Sequence, residues 1–243
     1  MRGTDLYIVI PVYNEMESIK VVLSQWIPKL REIVTEGFTA LVLNDGSKDK
    51  TLEILHSLKG EIPELEIFDK PNSGHGQTCL LGYKMSAQAG AKWIFQIDSD
   101  GQCDPQYFAA VWEARNQAPV VFGYRVHRDD GLFRVLVSKI VTLFGFFTTG
   151  TWVRDANVPY RLMKSDIIKD LVPTIPADFH LANIALAILI QKRTPIKWVN
   201  IHFLQRYGGV PSVKPFSFVR HGLTLARQLR EIMRKQDHKS LRS

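Results

Sequence analysis

The sequence has few of the features of a secreted, disulfide-stabilised or membrane-spanning protein. Its two cysteines, Cys79 and Cys103, lack the number and spacing of a disulfide framework or a zinc site, which favours a reducing compartment. The apolar run 6–11 is too short for the h-region of a signal peptide. The uncharged stretch 140–153 is too short to span a bilayer. We therefore expect a cytoplasmic location.

Charge is close to balanced over most of the chain. The net charge is +7, of which +6 falls in residues 214–243. A basic end predicts either an anionic partner, nucleic acid or a membrane surface, or only a solvated helix. Apolar residues three and four apart, with arginines between them, predict a basic amphipathic helix over 216–235. Because the Phe, Leu, Ile and Met residues of this segment form an apolar stripe and not a nucleic-acid recognition element, we expect an anionic membrane surface and no nucleic acid.

The rest of the chain alternates apolar β-type runs with helical patterns, which is typical of parallel strands joined by helices. Strands are predicted at 6–11, 38–45, 65–70, 92–98, 119–125 and 196–203. Helices are predicted at 15–36, 49–59, 77–89, 105–116, 165–171 and 180–192, and 132–153 reads as a buried or interfacial helix. We expect an α/β protein with a mostly parallel sheet, one domain over 1–213 and a basic tail over 214–243.

Two carboxylates follow the apolar strand 92–98. Asp98 and Asp100 flank Ser99, and Gln102 follows. An ionised carboxylate at the end of a buried strand is costly unless a cation or a donor compensates it. Hard oxygen ligands favour Mg²⁺ or Mn²⁺, with a pyrophosphate completing the shell. An isolated Asp-X-Asp triplet is more often a surface turn, but its place after this strand favours a metal site.

Other polar clusters also follow predicted strands, at the sheet edge where open α/β folds bind ligands. Residues 12–15 follow the first strand and residues 44–47 end the second. Asp45 is suited to accept hydrogen bonds from a base or ribose, or to cap the next helix. Residues 72–78 form a glycine-rich turn that could present backbone N–H groups to phosphate.

In this order and spacing, residues 10–15, 44–47, 72–76 and 98–102 resemble the family 2 glycosyltransferases. A second set of residues resembles the dolichyl- or polyprenyl-phosphate sugar transferase branch. It consists of 124–125, Arg134 with Ser138, 155–162 and 203–209. The resemblance covers about residues 6–213 and implies a GT-A fold. It also implies an inverting, metal-dependent hexosyltransferase that uses a UDP- or GDP-sugar at the cytoplasmic face of a membrane.

The resemblance also implies roles for individual residues. The nucleotide-sugar site is expected to contain Pro11, Tyr13, Asn14, Glu15, Asn44, Asp45, Ser47, Asn72, Gly76, Gln77, Asp98 and Ser99. The metal ligands are expected to be Asp98, Asp100 and Gln102, and the catalytic residues Asp100 and Arg206. The acceptor or donor phosphates are expected to meet Arg125, Arg134, Ser138 and Arg206.

Two acceptors are compatible with these residues. A hydroxyl of a glycan, lipid or protein needs a general base, for which Asp178 and His180 are the candidates. A polyprenyl phosphate is already ionised near neutral pH and needs cations to position it, a role that suits arginine. We favour the phosphate acceptor. A nucleic-acid-binding module and a catalytically inactive relative are disfavoured, the latter because Asp45, Asp98, Asp100 and Arg206 are intact.

Overall fold

The computed structural model describes residues 4–129, 132–176, 179, 181–207, 227–232 and 234. The strands are β1 (Leu6–Val12), β2 (Phe38–Asn44), β3 (Leu65–Asp69), β4 (Trp93–Gln96), β5 (Val120–Arg128), β6 (Arg161–Lys164) and β7 (Lys197–Phe203). The helices are α1 (Ile19–Ile33), α2 (Thr51–Lys59), α3 (His75–Gln88), α4 (Phe108–Ala114), α5 (Leu132–Thr149), α6 (Ser165–Leu171) and α7 (Ala182–Arg193). A 3₁₀ turn at Pro105–Tyr107 leads into α4.

The strands form one sheet in the order β3-β2-β1-β4-β6-β5-β7. The pairs β1–β2, β1–β4, β2–β3 and β5–β7 are parallel, whereas β6 runs antiparallel to both β4 and β5. All seven residues of β2 are buried, as expected for a parallel strand covered on both faces. The predicted mixed α/β architecture with a mostly parallel sheet is therefore confirmed.

Strand β6 was absent from the sequence prediction. It has four residues and begins with a buried arginine, so its pattern is too short and too polar to be read as a strand. Its position is decided by its neighbours, because it fills the gap between β4 and β5. The predicted strand 92–98 is also shorter than expected, since β4 ends at Gln96 and leaves Asp98 in the following turn.

An aromatic cluster fills the core under the centre of the sheet. The Trp26 ring of α1 lies 5.6 Å from the Phe95 ring of β4, 6.0 Å from Phe108 of α4 and 5.8 Å from Tyr160. The Trp26 indole N–H donates to the Cys103 carbonyl at 3.1 Å, so the buried polar end of this side chain is satisfied. The cluster fixes α1 beneath the turn that follows β4.

Helix α5 has an exposed apolar surface. Ile140, Leu143, Phe146 and Phe147 on α5, with Trp152 just beyond it, are exposed, and Phe147 is 74% exposed. We call these five residues the α5 apolar face. In the described part of the chain, no helix combines the length and the apolar character that crossing a membrane requires.

The predicted tail helix 216–235 lies mostly outside the described residues. Its described part, residues 227–232 and 234, is helical. Leu229 and Ile232 are buried with the hydrophobic core, whereas Arg227, Arg230 and Arg234 are exposed. At least one residue of the predicted apolar stripe, Leu229, therefore packs against the protein itself.

Candidate active site at the carboxyl edge of the sheet

Three loops meet where the neighbouring parallel strands β2, β1 and β4 end, as the strand order requires. Backbone N–H groups of the loop after β1 donate to side chains of the loop after β2, Asn14 to Ser47 Oγ at 3.0 Å and Glu15 to Thr51 Oγ1 at 2.8 Å. In return the Lys48 N–H donates to Asn14 Oδ1 at 2.7 Å. Asn14 has a φ of 53°, so its left-handed backbone forms part of this junction.

The turn after β4 holds both carboxylates of the predicted metal site. The Gln96 amide donates to Asp98 Oδ1 at 3.2 Å, and the Gln102 N–H donates to Asp100 Oδ1 at 3.1 Å. Burial and the nearby Asp98 charge raise the pKa of Asp100 to about 6. Ser99 faces away from both, since its hydroxyl donates to the Pro11 carbonyl at 2.9 Å.

Arg206 lies beside these carboxylates. Its guanidinium pairs with Glu15 and lies 3.7 Å from Asp100 Oδ2. Burial raises the pKa of Glu15, although a hydrogen bond from Ser18 and the charge of Arg206 oppose that shift. Four ionisable groups thus meet in one partly buried cluster, Glu15, Asp98, Asp100 and Arg206.

Residues 204–207 form a strap across the Asp98–Asp100 turn. The Leu204 N–H donates to the Gln102 carbonyl at 3.0 Å and the Tyr207 N–H to the Asp100 carbonyl at 3.1 Å. The Gln102 side-chain amide donates to the Leu204 carbonyl at 2.9 Å, which places its nitrogen on the strap. The metal-ligand role of Gln102 stays a prediction.

Asp45 organises the loop between β3 and α3. Its carboxylate pairs with Lys70 and accepts the backbone N–H groups of Ser73 at 2.8 Å and Gly74 at 2.9 Å. The Asn72 amide donates to the Asp45 carbonyl at 2.9 Å. Burial alone would raise the pKa of Asp45, but the hydrogen bonds from Lys70 and Ser73 outweigh it and lower the pKa. The side chain therefore supports this loop, and its predicted contact with a nucleoside stays a prediction.

Several other predicted site residues also make contacts within the protein. Asn44 donates to Asp69 Oδ1 at 2.7 Å and accepts from the Ser47 hydroxyl at 2.5 Å. The Gln77 amide donates to the Phe179 carbonyl at 3.0 Å. Gly76 lies in the first turn of α3, and Tyr13 is half-buried after β1. These residues frame the edge of the sheet around the carboxylates.

The predicted phosphate-binding residues lie on different elements of the fold. Arg125 makes a bidentate pair with Asp155 at 2.7 and 2.6 Å, with both side chains under 10% exposed. Arg134 and Ser138 lie along α5, but their side chains fall outside the described part of the structure. Of the four predicted phosphate-binding residues, Arg206 is the one seen beside Asp100. Asp178 and His180 also lie outside the described residues.

Ser18 and Gln96 support the site and were not among the predicted site residues, whereas His75 lies in the motif 72–76 but had no predicted role. The Ser18 hydroxyl lies 2.7 Å from Glu15 Oε2 and 2.9 Å from the Ser99 carbonyl oxygen, within hydrogen-bonding distance of both, and joins α1 to the turn. His75 Nε2 lies 3.6 Å from Asp98 Oδ1 and from Cys79 Sγ. Gln96 had a detectable signal, because it is a polar residue inside a very apolar strand.

The two carboxylates fit a divalent cation whose other oxygen ligands come from a bound molecule. No group of three or more His, Cys, Asp or Glu side chains that could hold a metal ion occurs within the described residues. Asp98 and Asp100 are hard oxygen ligands in a partly buried site, where their repulsion favours a positive charge between them. A diphosphate would supply further oxygens.

The sequence matches Glycosyl transferase family 2 over residues 7–173. The chain therefore belongs to this family of glycosyltransferases. It is 28% identical over 169 residues to the undecaprenyl-phosphate 4-deoxy-4-formamido-L-arabinose transferase of Photorhabdus laumondii. It is 30% identical over 166 residues to the protein of that name from Salmonella choleraesuis. Each match covers 68% of this chain and 50% of the relative, so the chain spans about half the length of these curated relatives.

Solved structures with the same fold include glucosyl-3-phosphoglycerate synthase from Mycobacterium tuberculosis, in complex with Mn²⁺, UDP-glucose and phosphoglyceric acid. The TM-score is 0.66 at 17% identity, over 95% of this chain and 80% of that one. TarS from S. aureus, residues 1–349, aligns with a TM-score of 0.55 at 17% identity, over 80% and 57%. At this identity the likeness shows the fold alone, which is the predicted GT-A fold.

Proposed function

We propose that this glycosyltransferase moves a hexose from a UDP- or GDP-sugar to a membrane polyprenyl phosphate, with inversion and with Mg²⁺ or Mn²⁺ as cofactor. The observation that carries the proposal is the cluster of Asp98, Asp100, Glu15 and Arg206 where β1 and β4 end. Paired carboxylates would hold the cation that neutralises a diphosphate leaving group, and the arginine would position a phosphate nucleophile.

Asp98 and Asp100 would hold the cation, with Gln102 as the predicted third ligand. A bound divalent cation neutralises charge on a leaving diphosphate, a Lewis-acid effect of several kcal/mol. The related fold solved with Mn²⁺ and UDP-glucose supports this choice of cofactor. The loops that contain Tyr13, Asp45 and Gly76 would enclose the nucleotide, because they surround the same edge of the sheet.

The acceptor would be a phosphate, which is supported by the position of the Arg206 guanidinium 3.7 Å from Asp100 Oδ2. A guanidinium matches two phosphate oxygens and holds the attacking oxygen in position without removing a proton. The names of the curated relatives, undecaprenyl-phosphate sugar transferases, support a lipid phosphate. The further phosphate-binding residues would be Arg134, Ser138 and Arg125, which also pairs with Asp155.

The protein would act as a peripheral protein on the cytoplasmic membrane face. Exposed Phe147 and Trp152 of the α5 apolar face are suited to the boundary between headgroups and acyl chains. Lys139, which is exposed on the same helix, and the basic residues of 214–243 would add attraction to anionic lipids. We retain 1–213 as the proposed catalytic domain and 214–243 as its proposed basic tail.

The direct test is nucleoside diphosphate release from a panel of UDP- and GDP-sugars, with Mn²⁺ and with or without polyprenyl phosphate. We expect release that depends on both the lipid phosphate and the metal. Asp100→Asn should lower turnover at least a hundredfold while thermal unfolding stays close to wild type. Asp166→Asn, at a carboxylate whose side chain is 78% exposed, is the control and should keep full activity.

Full activity of the wild type in chelator, or of Asp100→Asn, would refute the metal assignment. The acceptor is tested separately by Arg206→Ala beside Asp178→Asn and His180→Ala. We expect Arg206→Ala to abolish transfer to polyprenyl phosphate and the other two to retain it. The opposite pattern would establish transfer to a hydroxyl of a glycan, lipid or protein acceptor.

A further inference from the structure

A row of buried polar side chains leads from helix α7 to the first carboxylate of the Asp98–Asp100 turn. Tyr83 of α3 and Gln96 of β4 are fully buried, and Asn183 of α7 is 5% exposed. The Tyr83 hydroxyl donates to Gln96 Oε1 at 2.5 Å and lies 3.2 Å from Asn183 Oδ1. The Gln96 amide then donates to Asp98 Oδ1 at 3.2 Å.

The order of donors and acceptors fixes which way Gln96 faces. Its oxygen accepts a hydrogen bond from the Tyr83 hydroxyl, and its nitrogen therefore faces Asp98. The reversed amide would place its oxygen against the Asp98 carboxylate, so that two acceptors would face each other, although Tyr83 could still donate to Asn183 Oδ1. Burial raises the pKa of Tyr83 well above its ordinary value, so the phenol stays a donor.

The far end of the row is anchored by a buried arginine. The Arg161 guanidinium donates to the Asn183 carbonyl at 2.8 Å and to the carbonyls of Val158 and Ala156 at 2.6 and 2.7 Å. Each member of the row belongs to a different element, α7, α3 or β4. The geometry of the row is therefore set by the packing of the core.

We propose that Tyr83 and Gln96 are positioning residues for the cation site: Tyr83 bonds to Gln96, and Gln96 holds Asp98 Oδ1 by a hydrogen bond and thereby presents Oδ2 to the cation. The inference rests on the proposed function, because it assigns Asp98 to the metal. Hydrogen-bonded partners behind metal ligands orient them and set metal affinity. Apolar side chains of similar size would fill the same space without orienting the carboxylate.

Tyr83→Phe tests this, because it removes one hydroxyl and leaves the ring in place. Tyr160→Phe is the matched control, since Tyr160 is equally buried and its hydroxyl donates to the Asp104 carbonyl at 3.1 Å, away from Asp98. Binding of Mn²⁺ is titrated by electron paramagnetic resonance, with Mn²⁺ alone and with UDP or GDP. The KM for Mn²⁺ and kcat are measured beside it, and unfolding in urea reports stability.

We expect Tyr83→Phe to weaken Mn²⁺ binding about tenfold or more, with kcat largely restored at saturating Mn²⁺. Gln96→Met should do the same or more, whereas Tyr160→Phe should bind Mn²⁺ as the wild type does, whatever its stability. If Tyr83→Phe and Gln96→Met both bind Mn²⁺ as tightly as the wild type does, the positioning role is overturned and the proposed cofactor is not. A wild-type protein that binds no Mn²⁺ with either nucleotide would overturn it together with the proposed cofactor.

Discussion

Gly101 stands between the two parts of the site, the carboxylate turn and the strap 204–207. Its φ is +83°, and a Cβ atom built there would lie 2.0 Å from the Tyr207 ring. The Tyr207 hydroxyl in turn accepts from Gln25 of α1 at 3.1 Å. The missing side chain at Gly101 therefore lets Tyr207 lie against the turn and keeps the neighbouring Arg206 beside Asp100.

We predict that Gly101→Ala lowers kcat at least tenfold, because the ring and the strap must move away from Asp100. Gly90→Ala is the control, since Gly90 has a φ of +89° and an added Cβ meets nothing within 4 Å. It should cost only the backbone strain, about 1–2 kcal/mol of unfolding free energy, with unchanged kcat. The effect of Gly101→Ala should shrink in a Tyr207→Ala background, and an equal effect there would contradict the explanation.

The contribution of Asp45 to stability can be tested separately from its predicted role in nucleotide binding. Asp45→Asn removes the carboxylate charge beside Lys70 at a site where both side chains are 10% exposed or less, so we predict a loss of about 3 kcal/mol at pH 7. Urea unfolding measures this loss. Asp166→Asn should change stability by less than about 0.5 kcal/mol.

The same variant gives a pH dependence with a defined sign. Because the folded pKa of Asp45 lies below the ordinary value of 3.8, its contribution is complete above that value and is lost as the pH falls through the folded pKa. Wild type and Asp45→Asn should therefore converge in stability under acid conditions. A constant difference from pH 7 down to pH 2 would show that the carboxylate charge is not responsible.

At the scale of elements, we predict that the α5 apolar face contributes to membrane binding. Replacing Leu143 and Phe147 together by glutamine should weaken binding to anionic vesicles at least tenfold, because a Phe or Leu side chain contributes about 1.5–3 kcal/mol when fully buried. Sedimentation with vesicles measures the binding. Phe68→Gln on edge strand β3, at a 37% exposed phenylalanine, is the control and should bind as wild type. Equal binding by the double variant would exclude this face.

Elements with a strong hydrophobic pattern could be predicted from the sequence, whereas an element whose position depends on neighbouring strands could not. The alternation of apolar runs and helical patterns located β1, β2, β3 and α6 to within a residue or two. Strand β6 exists because β4 and β5 leave one place between them, which no local pattern encodes. Arg125 shows the same limit at the site: its phosphate-binding role stays a prediction, and its pair with Asp155 could not be predicted because it depends on a residue 30 positions away.

At the scale of the whole molecule, Arg161 links elements that are distant in sequence. Its guanidinium is fully buried and donates to three backbone carbonyls from two regions, residues 156–158 and Asn183. Arg161→Met should lower the free energy of unfolding by at least about 3 kcal/mol, because it removes three hydrogen bonds that a charged donor makes to buried carbonyls. Arg193→Met, at a pair with Asp170 in which each side chain is about half exposed, should cost less than about 1 kcal/mol. Urea denaturation of both variants measures the difference, and similar losses would contradict it.

The contact between Arg206 and Glu15 joins residues 191 positions apart in the chain. On a ribosome, which releases the N-terminal part first, β1 to β4 can pair while the residues that supply β6, β7 and Arg206 are still being synthesised. A growing chain therefore contains both carboxylates well before it contains their arginine. Under the proposed function, a chain that stalls before Arg206 is synthesised would hold both carboxylates but would lack the arginine that is proposed to meet the acceptor phosphate.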